Sequence, residues 1–146
     1  MSIDFKFKKI TYSELNACQK ENYNFQKLAA HLADYGFNCM WLNDDWQGAD
    51  FIACHIDGEM FLKVQLKGRL TFDAKYKDKE IYVAFRESNQ WYLYPHDTLC
   101  SELISLGFMK DSKSWVEDGV YSWPKLPKDL LTYLEKYLVL NLEKDR

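Results

Sequence analysis

Long apolar runs are missing from this chain of 146 residues. None approaches the roughly 18 consecutive apolar residues of a membrane-spanning helix, and Met1-Ser2-Ile3-Asp4-Phe5-Lys6 lacks the apolar centre of a secretory signal. Cysteine is sparse and scattered: Cys18, Cys39, Cys54 and Cys100 contain no CxxC pair, which argues against a zinc site and gives a disulfide framework no positive support. A reduced, cytoplasmic protein is the plain expectation. Histidine is scarcer still. His31, His55 and His96 do not stand at the close helical intervals of a metal-binding helix. A serine-centred elbow, a phosphate-cradling glycine loop and a dinucleotide fingerprint are all absent, as are linkers, internal repeats and low-complexity segments.

An excess of positive charge is also lacking. The formal net charge of -3 does not favour a nucleic-acid partner, because phosphate contacts need local positive charge. The distribution softens this. Lys6, Lys8 and Lys9 stand near the start, Lys63, Lys67, Arg69, Lys75, Lys77 and Lys79 crowd one stretch, and several acids fall in the C-terminal segment. A basic strip of this kind is compatible with a phosphate-bearing ligand; the 75–79 cluster reads equally well as a solvated loop.

What is present is apolar and aromatic. Contents of 47% hydrophobic and 16% aromatic residues mark a folded globule, and the length fits one domain, 1–146, with a core over about 13–97 and a C-terminal hairpin and helix over about 98–146. Ser13 is a candidate cap for a helix starting near Glu14, in one piece or two, with a buried stripe at Phe25, Leu28, Ala29 and Leu32 and a stop at Gly36. Residues 37–42 predict a strand and 43–48 a polar turn. Ile81 to Phe85 and Trp91 to Tyr94 predict two further strands. After Pro95, Asp97 or Thr98 would cap a short helix ending at Gly107. Residues 114–123 predict an aromatic hairpin turning at Asp118-Gly119, and Pro127 opens a last amphipathic helix through Leu130, Leu134 and Tyr137. The expected architecture is a single α/β domain with a central mixed sheet of about four or five strands flanked by helices.

The most informative passage runs from Gly48-Ala49-Asp50 to Gln65-Leu66-Lys67. A two-residue turn at Asp57-Gly58 pairs Ile56 with Glu59 and, counting outward, Asp50 with Gln65. Opposed residues share a face of the sheet, and the period of two brings Lys67 to that face as well. An acid, an amide and an amine then converge at one end of a hairpin. The competing structural readings are an Asp50 that binds backbone amides, a Gln65 satisfied within the sheet and a Lys67 reaching solvent. A slip of one residue would scatter all three.

This order of helix, strand, hairpin and strand resembles the restriction-endonuclease-like nucleases, the PD-(D/E)xK superfamily, over roughly residues 24 to 97. Ala49 stands where that pattern has Pro, and Gln65 where it has its middle acid. Gln26 is the best match to the acid of the preceding helix. The resemblance implies a metal-dependent nuclease hydrolysing phosphodiester bonds in DNA. Asp50, Gln65 and the Leu66 carbonyl would then be ligands of Mg²⁺ or Mn²⁺, Lys67 would assist the attacking water, and Gln26 would support the site; because Gln65 and Gln26 add no charge, Asp44, Asp45, Glu59 or Glu21 would have to complete the shell for full metal affinity. Lys63, Arg69, Lys75 and Lys77 would contact nucleic acid, with Trp46 the best candidate to stack on a base. Other tryptophans read as core. A homodimer is compatible, since cutting both strands commonly takes two sites. The amides at 26 and 65 motivate the alternative, a nuclease fold without catalysis that binds nucleic acid or protein. His96 beside Asp97 looks like a dyad, but sequence neighbours rarely face each other, and helix entry explains the pair.

Overall fold

Asn16 opens the longest helix, α1 (Ala17–Ala33), with a reciprocal cap. Its Oδ1 accepts from the Gln19 N–H at 2.8 Å while the Gln19 Oε1 accepts from the Asn16 N–H at 2.9 Å, satisfying two donors that a helix start leaves without intrahelical partners. The computed structural model describes residues 6–139, with the backbone alone at Asp45 and Trp46. The expected start near Glu14 is corrected: Tyr12–Glu14 forms a separate 3₁₀ turn, and α1 runs unbroken past residues 22–24. Gly36, at φ 87°, ends this region.

Among the described residues eight strands follow: β1 (Phe37–Trp46), β2 (Ala49–His55), β3 (Phe61–Leu66), β4 (Thr71–Asp73), β5 (Ile81–Glu87), β6 (Gln90–Pro95), β7 (Val120–Ser122) and β8 (Leu138–Val139). Six of them make a mixed sheet in the order β1-β2-β3-β5-β6-β8. Within it β3 and β5 run parallel and every other pair antiparallel. The count exceeds the expected four or five partly because the two-residue β8 adds itself to the edge.

β1 is longer than its apolar pattern predicts. Its polar end continues to Trp46, and the turn contracts to Gln47-Gly48, whose φ values of 55° and 88° are those of a two-residue hairpin turn matched to strand twist. The pairing slips between Trp41↔Phe51 and Trp46↔Ala49, a bulge that bends this corner. Between β2 and β3 the register is the one counted from the sequence, from Phe51↔Val64 to Cys54↔Phe61. The turn itself differs. His55 N–H donates to the Met60 carbonyl at 2.9 Å, and Asp57 Oδ1 accepts from the Glu59 and Met60 N–H groups at 2.8 and 3.0 Å. Residues 56–59 therefore form a longer, side-chain-capped loop that leaves the register intact.

The sheet is covered on both faces. Leu28 and Leu32 of α1 pack on Phe51, Ala53, Leu62 and Val64. On the other face, Val83, Phe85, Tyr92 and Tyr94 meet Leu99 and Leu103 of α2 (His96–Ser105) and Leu130 and Leu134 of α3 (Lys128–Leu134). Each such aliphatic side chain contributes about 1.5–3 kcal/mol by leaving water. Residues 114–123 do not form a hairpin. Ser114–Asp118 makes a wide helical turn closed by the Gly119 N–H on the Trp115 carbonyl at 3.0 Å, with Gly119 at φ 70°. β7 then pairs with β4 as a separate two-stranded sheet.

Candidate active site

Asp50 is the second residue of β2, placed at the hairpin's open end by the Gln47-Gly48 turn. Its Oδ2 accepts the Leu66 N–H at 2.8 Å, so the carboxylate ties down the end of β3. Gln65 donates from Nε2 to the Leu66 carbonyl at 3.3 Å. Lys67 is fixed through its backbone, whose N–H donates to the Ala84 carbonyl at 2.9 Å, while its Nζ lies 5.5 Å from the centre of the Tyr76 ring. All three side chains are half-buried.

They share a cleft of about 340 Å³ with Lys75, Tyr76 and Lys79. Gly48 forms its floor: a Cβ there would sit 3.0 Å from the Tyr76 ring, and the backbone is already at φ 88°, so this position must be glycine for Tyr76 to lie down. Burial pushes the Tyr76 phenol up; the Lys75 charge opposes this and the Asp73 and Asp50 charges add to it. Lys75 Nζ stands 5.2 Å from the same ring and 3.7 Å from Asp73 Oδ2. Three ammonium groups thus line a pocket with one carboxylate, an arrangement that favours an anion such as phosphate.

A second cleft of about 320 Å³ shares Asp50, Gln65 and Lys67 with the first, adds Leu66, and is bordered by Lys20, Glu21 and Asn24 of α1. Glu21 is the acid that the helix delivers. Gln26 is exposed and lines neither cleft, because it lies well round the helix from the stripe 21, 25, 28, 32 that faces the sheet. Of the four acids that could complete the shell, Glu21 is the one that borders a cleft with Asp50; Asp44 and Glu59 line neither, and the Asp45 side chain lies outside the described residues.

The basic residues separate. Lys75 and Lys79 reach the cleft; Lys63 lines a different groove beside Phe61 and Glu80, Lys77 sits 5.6 Å from the Trp115 ring, and Arg69 is exposed and lines neither cleft. Trp46 belongs to β1, but its side chain lies outside the described residues. Trp91 and Trp123 are core residues, and Trp41 packs edge-on against Phe25 with ring centres 5.1 Å apart.

His96 and Asp97 do face each other, contrary to the expectation for sequence neighbours. His96 Nδ1 is 2.8 Å from Asp97 Oδ1, and His96 Nε2 accepts the Asp73 N–H at 3.1 Å. Both ring nitrogens are occupied, and the ring is 1% exposed. Neither ring nitrogen is left for a substrate.

Among the described residues no group of three or more His, Cys, Asp and Glu side chains gathers in metal-binding fashion. The donors around the two clefts are instead a mixed oxygen set: the carboxylates of Asp50 and Glu21, the Gln65 side-chain carbonyl and the Leu66 backbone carbonyl. Hard oxygen donors with two anions among them fit Mg²⁺ or Mn²⁺, and the absence of sulfur and imidazole disfavours zinc.

No helix among the described residues is long and apolar enough to cross a membrane. No protein-family model matches the chain, and no curated protein matches it. Among solved structures the chain is similar to a Holliday junction resolvase from the archaeal hyperthermophile Archaeoglobus fulgidus, at 19% identity and a TM-score of 0.38, over 48% of this chain and 74% of that one. It is also similar to a bacterial homing endonuclease, at 16% identity and a TM-score of 0.43, over 59% of this chain and 70% of that one.

Proposed function

We propose that the chain is a metal-dependent nuclease that hydrolyses phosphodiester bonds in DNA at the end of the β2–β3 hairpin. The observation that carries this reading is the shared position of Asp50, Gln65 and Lys67 between two adjoining clefts, one lined by lysines and the other by Glu21. Asp50 and Glu21, with the Gln65 and Leu66 carbonyls, would hold a divalent ion. Such an ion supplies Lewis-acid stabilisation of charge on a phosphoryl oxygen.

The protein's own groups do the rest. Lys75 and Lys79 bind non-bridging phosphate oxygens as point charges. Lys67, resting on Tyr76, presents its ammonium beside the reacting phosphate, where it orients the attacking water and donates to the charge that develops. Asp50, by fixing the Leu66 N–H through Oδ2, keeps the β3 carbonyl in place. Cutting both strands of a duplex would take two such clefts, so a homodimer belongs to this reading.

A second reading has its own support. With Gln at 65 and three amines in the first cleft, the charge balance also suits a domain that binds DNA without cutting it. DNA cleavage against Mg²⁺ or Mn²⁺ concentration separates the two. Metal-dependent cutting by the native chain that falls about a hundredfold or more in Asp50→Asn supports the nuclease. Retarded migration of labelled DNA without cutting under either metal supports the binding domain. If Gln65→Glu alone creates cutting, catalysis is absent from the native protein.

A further inference from the structure

The loop over residues 74–80 supplies Lys75, Tyr76 and Lys79 to the first cleft, yet its backbone is not self-supporting. After the 3₁₀ turn Ala74–Tyr76, both Asp78 and Glu80 adopt left-handed conformations, at φ 61° and 56°, a region that Asp enters more readily than most residues but Glu seldom does. Two of its internal bonds, Lys77 N–H to the Ala74 carbonyl and Lys79 N–H to the Tyr76 carbonyl, are local. Its restraints come from elsewhere: Ala74 N–H donates to the Gly119 carbonyl at 2.7 Å, and Asp78 N–H donates to Asp97 Oδ2 at 2.8 Å.

Asp97 connects that far anchor to the loop's entrance. Because His96 Nε2 accepts from the Asp73 N–H, the ring proton resides on Nδ1 and is donated to Asp97 Oδ1. The chain of bonds therefore runs Asp73 N–H to His96, His96 to Asp97, and Asp78 N–H back to Asp97, bracketing both ends of the loop. The His96 ring is held between Phe72 and Tyr76, each with its ring centre 5.6 Å away, and Tyr76 is the residue on which Lys67 rests.

We propose that His96 and Asp97 are positioning residues that clamp the 74–80 loop and thereby set the basic wall facing Asp50. The clamp follows from the bonds themselves; its consequence for DNA rests on the function proposed above.

The test compares the full native chain with Asp97→Ala and Asp97→Asn by NMR-detected amide exchange and by affinity for a short DNA duplex without metal. Asp97→Ala is expected to speed exchange at Asp78 by about tenfold or more, the effect of losing one hydrogen bond to a charged acceptor, while Phe51, Val64 and Val83 keep their protection. Removing a carboxylate should by itself tighten DNA binding; weaker binding by Asp97→Ala therefore reports a displaced wall. Asp97→Asn, whose single acceptor oxygen can serve Asp78 or His96 but not both, is expected to fall between Asp97→Ala and the native chain in exchange at Asp78 and to bind DNA more tightly than Asp97→Ala. Unchanged exchange at Asp78, acceleration spread evenly over the sheet, or tighter DNA binding by Asp97→Ala would overturn the clamp. If the native chain binds no DNA, the proposed function fails and the exchange pattern alone decides the clamp.

Discussion

At two places in this fold a carboxylate, a nitrogen-bearing side chain and a backbone amide come together, and the two differ in what remains available to a ligand. At His96 and Asp97 every ring nitrogen and both carboxylate oxygens are engaged, and the ring is buried. At Asp50, Gln65 and Lys67 the groups are half-buried and open onto two clefts, and Gln65 Oε1 accepts no hydrogen bond among the described residues. The pair that looks like a dyad is the saturated one. Proximity of acid and base therefore does not identify a site; remaining capacity beside a cavity does.

The largest contrast lies along α1. Glu21→Gln is expected to weaken Mn²⁺ binding by about tenfold to a hundredfold, the scale on which metal sites respond to loss of a supporting group, whereas Gln26→Ala leaves it unchanged. Calorimetric titration of the metal reads both, and equal losses in the two variants would remove Glu21 from the site. The saturated side should respond in stability instead. Tyr94 is fully buried, its hydroxyl donating to the Thr71 carbonyl at 2.6 Å and accepting the Thr71 N–H at 3.2 Å. Tyr94→Phe leaves both Thr71 groups without that partner, an expected loss of about 1–3 kcal/mol, seen as a lower urea midpoint with cleavage per folded molecule unaltered. Asp50→Asn, which keeps an acceptor for the Leu66 N–H, should show the reverse pattern of lost cleavage with little change in midpoint.

The hairpin register was legible because it depends on alternation, and alternation survives a wrong turn: residues 56–59 loop differently from the expected pair, yet Cys54 still meets Phe61. The cover on both faces of the sheet has a different signal: residues 51–54 and 60–64 are apolar at nearly every position, so neither face of the hairpin suits water. Features set by capping and tertiary partners were not. Asn16 rather than Ser13 starts α1 because Gln19 completes its cap. Val120 and Ser122 look like one arm of a local hairpin, but their partners, Asp73 and Thr71, stand far away in sequence. The clefts depend on which side of α1 meets the sheet: Gln26 is the match by motif, but Glu21, an exposed residue in line with Phe25 and Leu28, is the one that borders the cleft. His96 was unreadable for a different reason: its second partner, the Asp73 N–H, is supplied by the end of β4, a short strand whose place beside α2 no local pattern specifies.

The smallest effect expected is one of pH, and it separates the saturated acid from its surroundings. Partial burial tends to raise the Asp97 carboxyl, but hydrogen bonds from His96 and the Asp78 N–H, with the Lys77 charge nearby, outweigh this and hold it below its ordinary value of 3.8. A carboxyl depressed on folding contributes stability that is present above its unfolded value and is lost as pH falls through its folded one. Native stability should therefore decline below about pH 4, and Asp97→Asn should decline less steeply by a fraction of one proton. Urea midpoints measured from pH 5 to pH 2.5 give both slopes. Asp57, held low chiefly by the Met60 and Glu59 N–H groups, contributes equally to the two proteins and cancels in the difference. Parallel slopes would mean that Asp97 gains nothing from its partners on folding, and the contrast between the saturated pair and the open cleft would lose its energetic basis.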